Sequence, residues 1–170
     1  EAAIKEHPDA KVVAFVHAET STGVRSDAET LCRLAKSAGM LVIMDAVTSL
    51  AGIDLQADAW GADVVYSGTQ KCLSGLPGIS PITFSNDAVA TIQARKHTVQ
   101  SWFLDMNLIM GYWGEGAKRS YHHTAPVNAV YALHEALLIL EEEGLNASFV
   151  RHKANHLKLA AGLSKLGLEM

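Results

Sequence analysis

Short apolar runs rich in valine and isoleucine alternate with longer segments of helical pattern, and this alternation constrains the fold more than any other feature. The runs occupy residues 11–17, 41–44, 63–67 and 81–84. Apolar runs of this length, bounded by turn residues, are typical of buried strands. Strands separated by helices predict an α/β fold, with a doubly wound, mostly parallel sheet and helices on both faces.

The segments between and after these runs carry helix signals. Ser26 and Glu29 form a capping-box pattern at a helix start, and Gly39 can end the same helix. Pro126 and Gly144 mark the start and end of a later helix. The pattern predicts helices over residues 86–96, 102–112, 126–143 and 147–166. We expect residues 1–145 to form one unit and residues 146–170 to be a long helix that leads toward a further domain.

Composition excludes several classes of function. The 170 residues are 49% hydrophobic and 19% charged, with a formal net charge of −4 and no run of like charges, so we expect neither nucleic acid nor an anionic membrane as a partner. No apolar stretch reaches the roughly 18 residues of a membrane span. Cys32 and Cys72 form no CxxC pair, which argues against a disulfide scaffold or zinc ribbon and favours a reducing compartment.

An acid and a lysine stand beyond the ends of two predicted strands. Asp45 directly follows the run 41–44, and Lys71 follows the polar turn 66–70. Ligands bind outside the carboxyl ends of parallel strands, so we expect both residues at one edge of the sheet. A pyridoxal phosphate site needs an amine for a Schiff base and an acid beside the pyridine nitrogen, and this pair suits it. Taken alone, such an acid more often caps a turn, and most lysines are simply solvated.

Four segments together resemble the class V aminotransferases, and within that class the alanine–glyoxylate (serine–pyruvate) aminotransferases. They are HAETSTGV at 17–24, MDAVTS at 44–49, YSGTQK at 66–71 and YHHTAP at 121–126. The resemblance covers nearly the whole chain and keeps the spacing from the hydroxyl-rich loop through Asp45 to Lys71. It implies a fold-type I large domain, present in part, and pyridoxal 5'-phosphate as the cofactor.

The resemblance also implies roles for individual residues. Lys71 would be the catalytic Schiff-base lysine, and Asp45 would pair with the pyridine nitrogen. Thr20 would hydrogen-bond the cofactor ring near its 3-hydroxyl group, and Gln70 would contact the phosphate. His17 lies at a strand end near these residues, but a histidine satisfied by backbone groups is the more common case, and we assign it no role.

Two further cofactor-binding residues are implied across a subunit boundary. By resemblance, Tyr121 and Thr124 would reach the phosphate bound by the other subunit of a homodimer, which makes the active site composite. His122 and His123 would point to different sides of an extended segment, so we expect no metal site there.

The activity implied is transamination between a small amino acid, alanine or serine, and a 2-oxo acid, glyoxylate or pyruvate. The alternatives are another class V activity, such as aminoethylphosphonate transamination or cysteine desulfurization, and an inactive fragment that only scaffolds an oligomer. No GxGxxG follows a predicted strand, which disfavours a plain Rossmann nucleotide binder. By resemblance, the ring-stacking aromatic would lie upstream of Glu1 and the substrate-carboxylate arginine downstream of Met170, so we expect a fragment. A cytoplasmic location is expected, or a peroxisomal one in a eukaryote.

Overall fold

A computed structural model describes residues 1–113 and 120–168. Its strands are β1 (Val12–Val16), β2 (Leu41–Asp45), β3 (Val64–Tyr66) and β4 (Ile82–Phe84). Its α helices are α1 (Ala2–Glu6), α2 (Ala28–Ser37), α3 (Ala57–Trp60), α4 (Asn86–Gln93), α5 (Met106–Trp113), α6 (Val127–Glu143) and α7 (Leu145–Lys165), and Trp102–Leu104 form a 3-10 turn. Each predicted strand is present: β1, β3 and β4 are slightly shorter than predicted, and β2 extends one residue further, to Asp45.

The strands form one sheet in the order β1-β2-β3-β4. β1, β2 and β3 are parallel, whereas β4 pairs antiparallel with β3. The prediction of a mostly parallel sheet in an α/β fold is therefore confirmed. In the register between β2 and β3, Ile43 lies opposite Val64 and Asp45 lies opposite Tyr66.

The alternation of side chains along β2 separates the core from the functional edge. Val42 and Met44 are fully buried on one face, where they join Cys32 and Ala35 of α2 in the main apolar cluster. Asp45 belongs to the opposite face, because neighbouring residues of a strand point to opposite sides. Burial of β2 thus holds Asp45 at the rim of the core while leaving its carboxylate partly exposed.

The capping prediction for α2 was wrong by one residue. Asp27, not Ser26, is the N-cap, and its side chain accepts a hydrogen bond of 3.2 Å from the backbone N–H of Thr30. Ser26 instead donates from its hydroxyl to the carbonyl of Val16 at 2.8 Å, which ties the start of the helix segment to β1. The helix therefore starts one residue later than the capping-box pattern predicted.

The last two helices meet at a single residue. Gly144 lies between α6 and α7 with a φ of 82°, a left-handed value that glycine adopts without strain. The buried hydroxyl of Ser148 in α7 donates to the carbonyl of Ala51 at 2.8 Å, so α7 is anchored to the loop that follows β2. Among the described residues, no helix is both long and apolar enough to cross a membrane.

Asp63 joins three elements at the amino end of β3. Its carboxylate accepts hydrogen bonds from Lys36 Nζ of α2 at 2.9 Å to both oxygens, from the N–H of Val42 at 2.8 Å, and from the Ser85 hydroxyl at 2.8 Å. The side chain is only 3% exposed. Burial raises the pKa of Asp63, but the hydrogen bonds from Lys36, Ser85 and Val42 outweigh it and leave the pKa below its ordinary value.

We expect Asp63→Asn to lower the free energy of unfolding by about 2 kcal/mol, because it removes a buried charge that accepts several hydrogen bonds. Asp87→Asn is the matched control: it removes an exposed carboxylate 3.7 Å from the same lysine and should cost no more than about 0.5 kcal/mol. Thermal and urea unfolding of both variants measure the difference. Equal losses in the two variants would contradict a special role for Asp63.

The same network predicts a pH dependence. Because the pKa of Asp63 is lowered on folding, its contribution is fully present above the unfolded value of about 3.9 and is lost as the pH falls through the folded value. The stability difference between the parent protein and Asp63→Asn should therefore be constant near neutral pH and shrink below about pH 4. Unfolding curves collected across that range test this sign.

Candidate active site

The carboxyl ends of β1, β2 and β3 lie side by side and are joined by hydrogen bonds. The N–H of His17, just after β1, donates to the carbonyl of Asp45 at 2.9 Å, and the N–H of Ala46 donates to the carbonyl of Tyr66 at 2.9 Å. The hydroxyl of Thr48 donates to the carbonyl of Ala18. The loops that carry the predicted site residues thus start from one edge of the sheet.

Asp45 is held by two donors. Its Oδ2 accepts from the Tyr66 hydroxyl at 2.7 Å, and its Oδ1 accepts from the N–H of Val47 at 2.8 Å. The hydrogen bond to Asp45 raises the pKa of Tyr66 above its ordinary value, and burial and the negative charge of Asp45 act in the same direction. The sequence pattern assigned Tyr66 no role. The only available signal was its position at the end of the strand that precedes Lys71.

The loop after β3 is anchored on both sides of Lys71. Thr69 is fully buried, and its hydroxyl contacts the carbonyls of Leu76 and Ile79. The Cys72 thiol lies 3.5 Å from the carbonyl of Thr48, in the loop after β2. Lys71 itself is exposed, and its side chain forms no hydrogen bond or ion pair within the described part of the chain. The loop therefore holds an available amine between two fixed neighbours.

The turn before Lys71 presents unpaired donors. The backbone N–H groups of Gly68 and Gln70 have no acceptor among the described residues. A Cβ at position 68 would lie 2.7 Å from Oε1 of Gln70, so a side chain there would require the Gln70 side chain to move. Gln70 is exposed. Free N–H groups in a tight, glycine-containing turn are suited to an anion such as a phosphate.

Thr20 lies in the loop after β1, and hydrogen bonds join the two ends of this loop. An isolated antiparallel bridge joins Ala18 to Arg25, and the N–H of Glu19 donates to the carbonyl of Val24 at 2.9 Å. Gly23 closes the turn with a φ of 70°. Thr20 lies in this loop and is exposed, so its hydroxyl is accessible.

Tyr121 and Thr124 form a pair on the segment that precedes α6. The Tyr121 hydroxyl lies 2.7 Å from Oγ1 of Thr124, and the tyrosine is 70% exposed. Within residues 1–113 and 120–168, no hydrogen bond connects this pair with Thr20, Asp45, Gln70 or Lys71. The structure therefore places Thr20, Asp45, Gln70 and Lys71 on strands and loops at one edge of the sheet, and no hydrogen bond ties this pair to them.

His122 and His123 lie between Tyr121 and Thr124. Their side chains were predicted to point to different sides of the segment, and this prediction was wrong. Nδ1 of His122 lies 2.8 Å from Nδ1 of His123. His122 is buried because its ring stacks on Trp102 with centroids 3.9 Å apart, and its Nε2 lies 3.0 Å from the Trp102 carbonyl. In the described part of the chain, no group of three metal-ligating side chains forms a cluster.

The His17 side chain packs in the interior just after the end of β1. Its ring is buried and meets Trp60 edge-on, with centroids 5.6 Å apart, and Nδ1 has no partner among the described residues. Burial lowers the pKa of His17, and the positive charge of Arg25 lowers it further. The ring is therefore neutral near pH 7.

Neither cysteine offers a reactive thiolate. Cys32 is fully buried within α2, and Cys72 is held near the carbonyl of Thr48. Burial raises the pKa of both thiols above the ordinary value. A thiol with a raised pKa is protonated and weakly nucleophilic near neutral pH.

Comparison with known proteins identifies the family. The sequence profile described as "Aminotransferase class-V" matches residues 1–169. The chain belongs to the class V aminotransferases. The resemblance seen in the sequence is confirmed, and with it the fold-type I large domain, present in part.

The class V relatives are similar in sequence and in structure. The alanine–glyoxylate aminotransferase of Oryctolagus cuniculus is 40% identical over 157 residues, which cover 92% of this chain and 40% of that protein. The structure of the alanine–glyoxylate aminotransferase from Nostoc sp. superposes with a TM-score of 0.93 at 44% identity, over 99% of this chain and 44% of that one. The ureidoglycine–glyoxylate aminotransferase from Bacillus subtilis superposes with a TM-score of 0.91 at 36% identity, over 99% of this chain and 43% of that one. The chain thus spans about two fifths of the length of the relatives it matches.

Family membership implies pyridoxal 5'-phosphate as the cofactor, and the residues present fit it. Asp45 has two carboxylate oxygens that each accept one hydrogen bond, so each can accept another from a pyridine N–H. Lys71 supplies an exposed amine. The unpaired N–H groups of Gly68 and Gln70 suit its phosphate.

We expect Asp45→Asn to lower the pKa of Tyr66 toward the ordinary tyrosine value of about 10, because the amide removes the charged acceptor of its hydroxyl. Absorbance of the phenolate band against pH measures the ionisation, and subtraction of the matching Tyr66→Phe curve isolates this residue in each background. An unchanged Tyr66 titration in Asp45→Asn would show that the hydrogen bond does not form in solution.

Proposed function

We propose that residues 1–145 are the central and later part of the cofactor-binding large domain of an aminotransferase, and that residues 146–170 lead from it toward a further domain. The enzyme transfers an amino group from a small amino acid, alanine or serine, to a 2-oxo acid, glyoxylate or pyruvate. One observation carries this proposal: the ends of β2 and β3 bring the Asp45 carboxylate and the Lys71 loop to the same edge of the sheet.

When bound, pyridoxal phosphate withdraws electrons from the substrate and stabilises negative charge at its α-carbon. Lys71 would hold the cofactor through its amine, and the same amine would move the proton at the substrate α-carbon. Asp45 would accept the hydrogen bond of the pyridine nitrogen and keep that nitrogen protonated. Thr20 would orient the ring near its 3-hydroxyl, and Gln70 would contact the phosphate together with the N–H groups of the turn.

The comparisons support glyoxylate as the acceptor, since it is named for each of the relatives described above. Alanine or serine is the proposed donor, and the Bacillus subtilis relative favours ureidoglycine as a second candidate. Burial raises the pKa of both Cys32 and Cys72, so neither of these thiols is suited to be the nucleophile of a desulfurase. Half-reactions of the full-length protein with alanine, serine, ureidoglycine, cysteine and aminoethylphosphonate distinguish these donors.

We expect Lys71→Ala to lose covalent attachment of the cofactor while keeping its fold, because an exposed side chain contributes little to packing. Its transamination rate should fall by at least about a thousandfold, since the amine moves the proton. Lys153→Ala, at an exposed position of α7, is the control and should behave as the parent. Visible absorbance and the mass of the borohydride-reduced protein measure attachment.

Two results would contradict this assignment. If Lys71→Ala retains the cofactor covalently after reduction, another lysine forms the attachment. If the full-length parent binds no pyridoxal phosphate at all, the protein is a scaffold and not an aminotransferase.

We also propose a homodimer in which Tyr121 and Thr124 bind the phosphate of the partner subunit's site. Their exposure and mutual contact support a role outside the network around Asp45. Lys71→Ala and Tyr121→Ala should each be defective alone, whereas heterodimers of the two contain one intact site. Co-expression should then restore about a quarter of the parent activity, given random pairing in a two-fold dimer. Failure to restore activity in isolated heterodimers would contradict a shared site.

A further inference from the structure

Tyr66 and Asp45 occupy matched positions at the ends of neighbouring parallel strands. They are direct partners in the register between β3 and β2, so their side chains leave the same face of the sheet. The Tyr66 hydroxyl spans the gap to Oδ2 of Asp45 at 2.7 Å. β4 is the other strand that pairs with β3, and its residue opposite Tyr66 is Ile82, whose side chain is apolar.

The Tyr66 hydroxyl has this one hydrogen-bond partner in the described part of the chain. The ring is half-buried against the sheet and could be replaced by phenylalanine without loss of its apolar contacts. The contact that the Tyr66 hydroxyl adds to those of a phenylalanine ring is therefore its hydrogen bond to the Asp45 carboxylate. Its hydrogen bond has a charged acceptor and belongs to the stronger class.

A carboxylate that must accept a hydrogen bond from a ring nitrogen has to present one oxygen in a defined direction. Rotation about the bond between Cβ and Cγ of Asp45 would otherwise turn either oxygen away. The N–H of Val47 holds Oδ1 and the hydroxyl of Tyr66 holds Oδ2, so the plane of the carboxylate is fixed by donors from two separate elements. Each oxygen keeps an acceptor site for a further donor.

We propose that Tyr66 is a positioning residue, which holds the Asp45 carboxylate in the orientation that accepts the pyridine nitrogen of the cofactor. This inference rests on the proposed function, because it assigns Tyr66 to the same site. Tyr66 touches neither the substrate nor the reacting atoms in this role; it acts through Asp45.

A double-mutant cycle in the full-length protein tests the proposal. Tyr66→Phe, Asp45→Asn and the double variant are compared with the parent for the dissociation constant of pyridoxal phosphate, measured by fluorescence titration of the cofactor-free protein. Tyr66→Phe should weaken binding by about tenfold, the effect of one hydrogen bond to a charged acceptor. In the Asp45→Asn background, the same change should alter binding by less than about twofold, because coupled residues are non-additive. Tyr131→Phe, which removes an exposed hydroxyl on α6, is the matched control.

A spectroscopic readout separates positioning from a purely structural role. The visible band of the bound cofactor should titrate at a different pH in Tyr66→Phe than in the parent and in Tyr131→Phe. Thermal unfolding of the cofactor-free proteins should differ little, which verifies that Tyr66→Phe folds. If Asp45→Asn binds too weakly for titration, the Tyr66→Phe dissociation constant and band titration decide the matter.

The outcomes are distinguishable. If the parent binds the cofactor and Tyr66→Phe has the same affinity and the same band titration, the inference is wrong while the proposed function stands. Equal losses from Tyr66→Phe in both backgrounds would also overturn it, because the hydroxyl would then act independently of Asp45. If the parent binds no cofactor, the proposed function fails and the role of Tyr66 fails with it.

Discussion

The parallel pairing of β2 with β3 is the constraint on which the rest of the described structure depends. Asp63 fixes this pairing at one end, because its N–H donates to the Val42 carbonyl and its carboxylate accepts from the Val42 N–H. From there both strands advance by the same number of residues, so Asp45 and Tyr66 meet at the other end. A slip of one residue would turn one of these side chains to the opposite face and separate them.

The proposed chemistry is carried by accessible groups, and buried groups hold them in place. Lys71, Gln70 and Thr20 are exposed, whereas Thr69 beside them is fully buried and bonded to carbonyls of its own loop. The loop after β2 contacts both neighbouring loops. The Thr48 hydroxyl contacts the loop after β1, and the Thr48 carbonyl lies near the Cys72 thiol in the loop after β3. Such an arrangement holds the backbone that carries the amine and the carboxylate at one edge of the sheet without burying either charge, which would be costly.

Local sequence signals predicted the elements well and the contacts between elements poorly. Each strand coincides with its apolar run to within one or two residues, and Gly144 separates the last two helices. The choice of Ser26 as a cap failed because the tertiary contact with β1 takes its hydroxyl. The predicted direction of His122 also failed, since its ring stacks on Trp102 and contacts His123.

By itself, the sequence determined the α/β class, the strands, the family and the residue types available for the cofactor, because periodicity and motif spacing are local properties. Only the tertiary structure decided that Asp63 holds the sheet register and that Tyr66 bonds to Asp45. Both contacts join residues 21 positions apart in the chain. Strand pairing sets such contacts, and nothing in the spacing of a single chain specifies which residues will lie opposite one another.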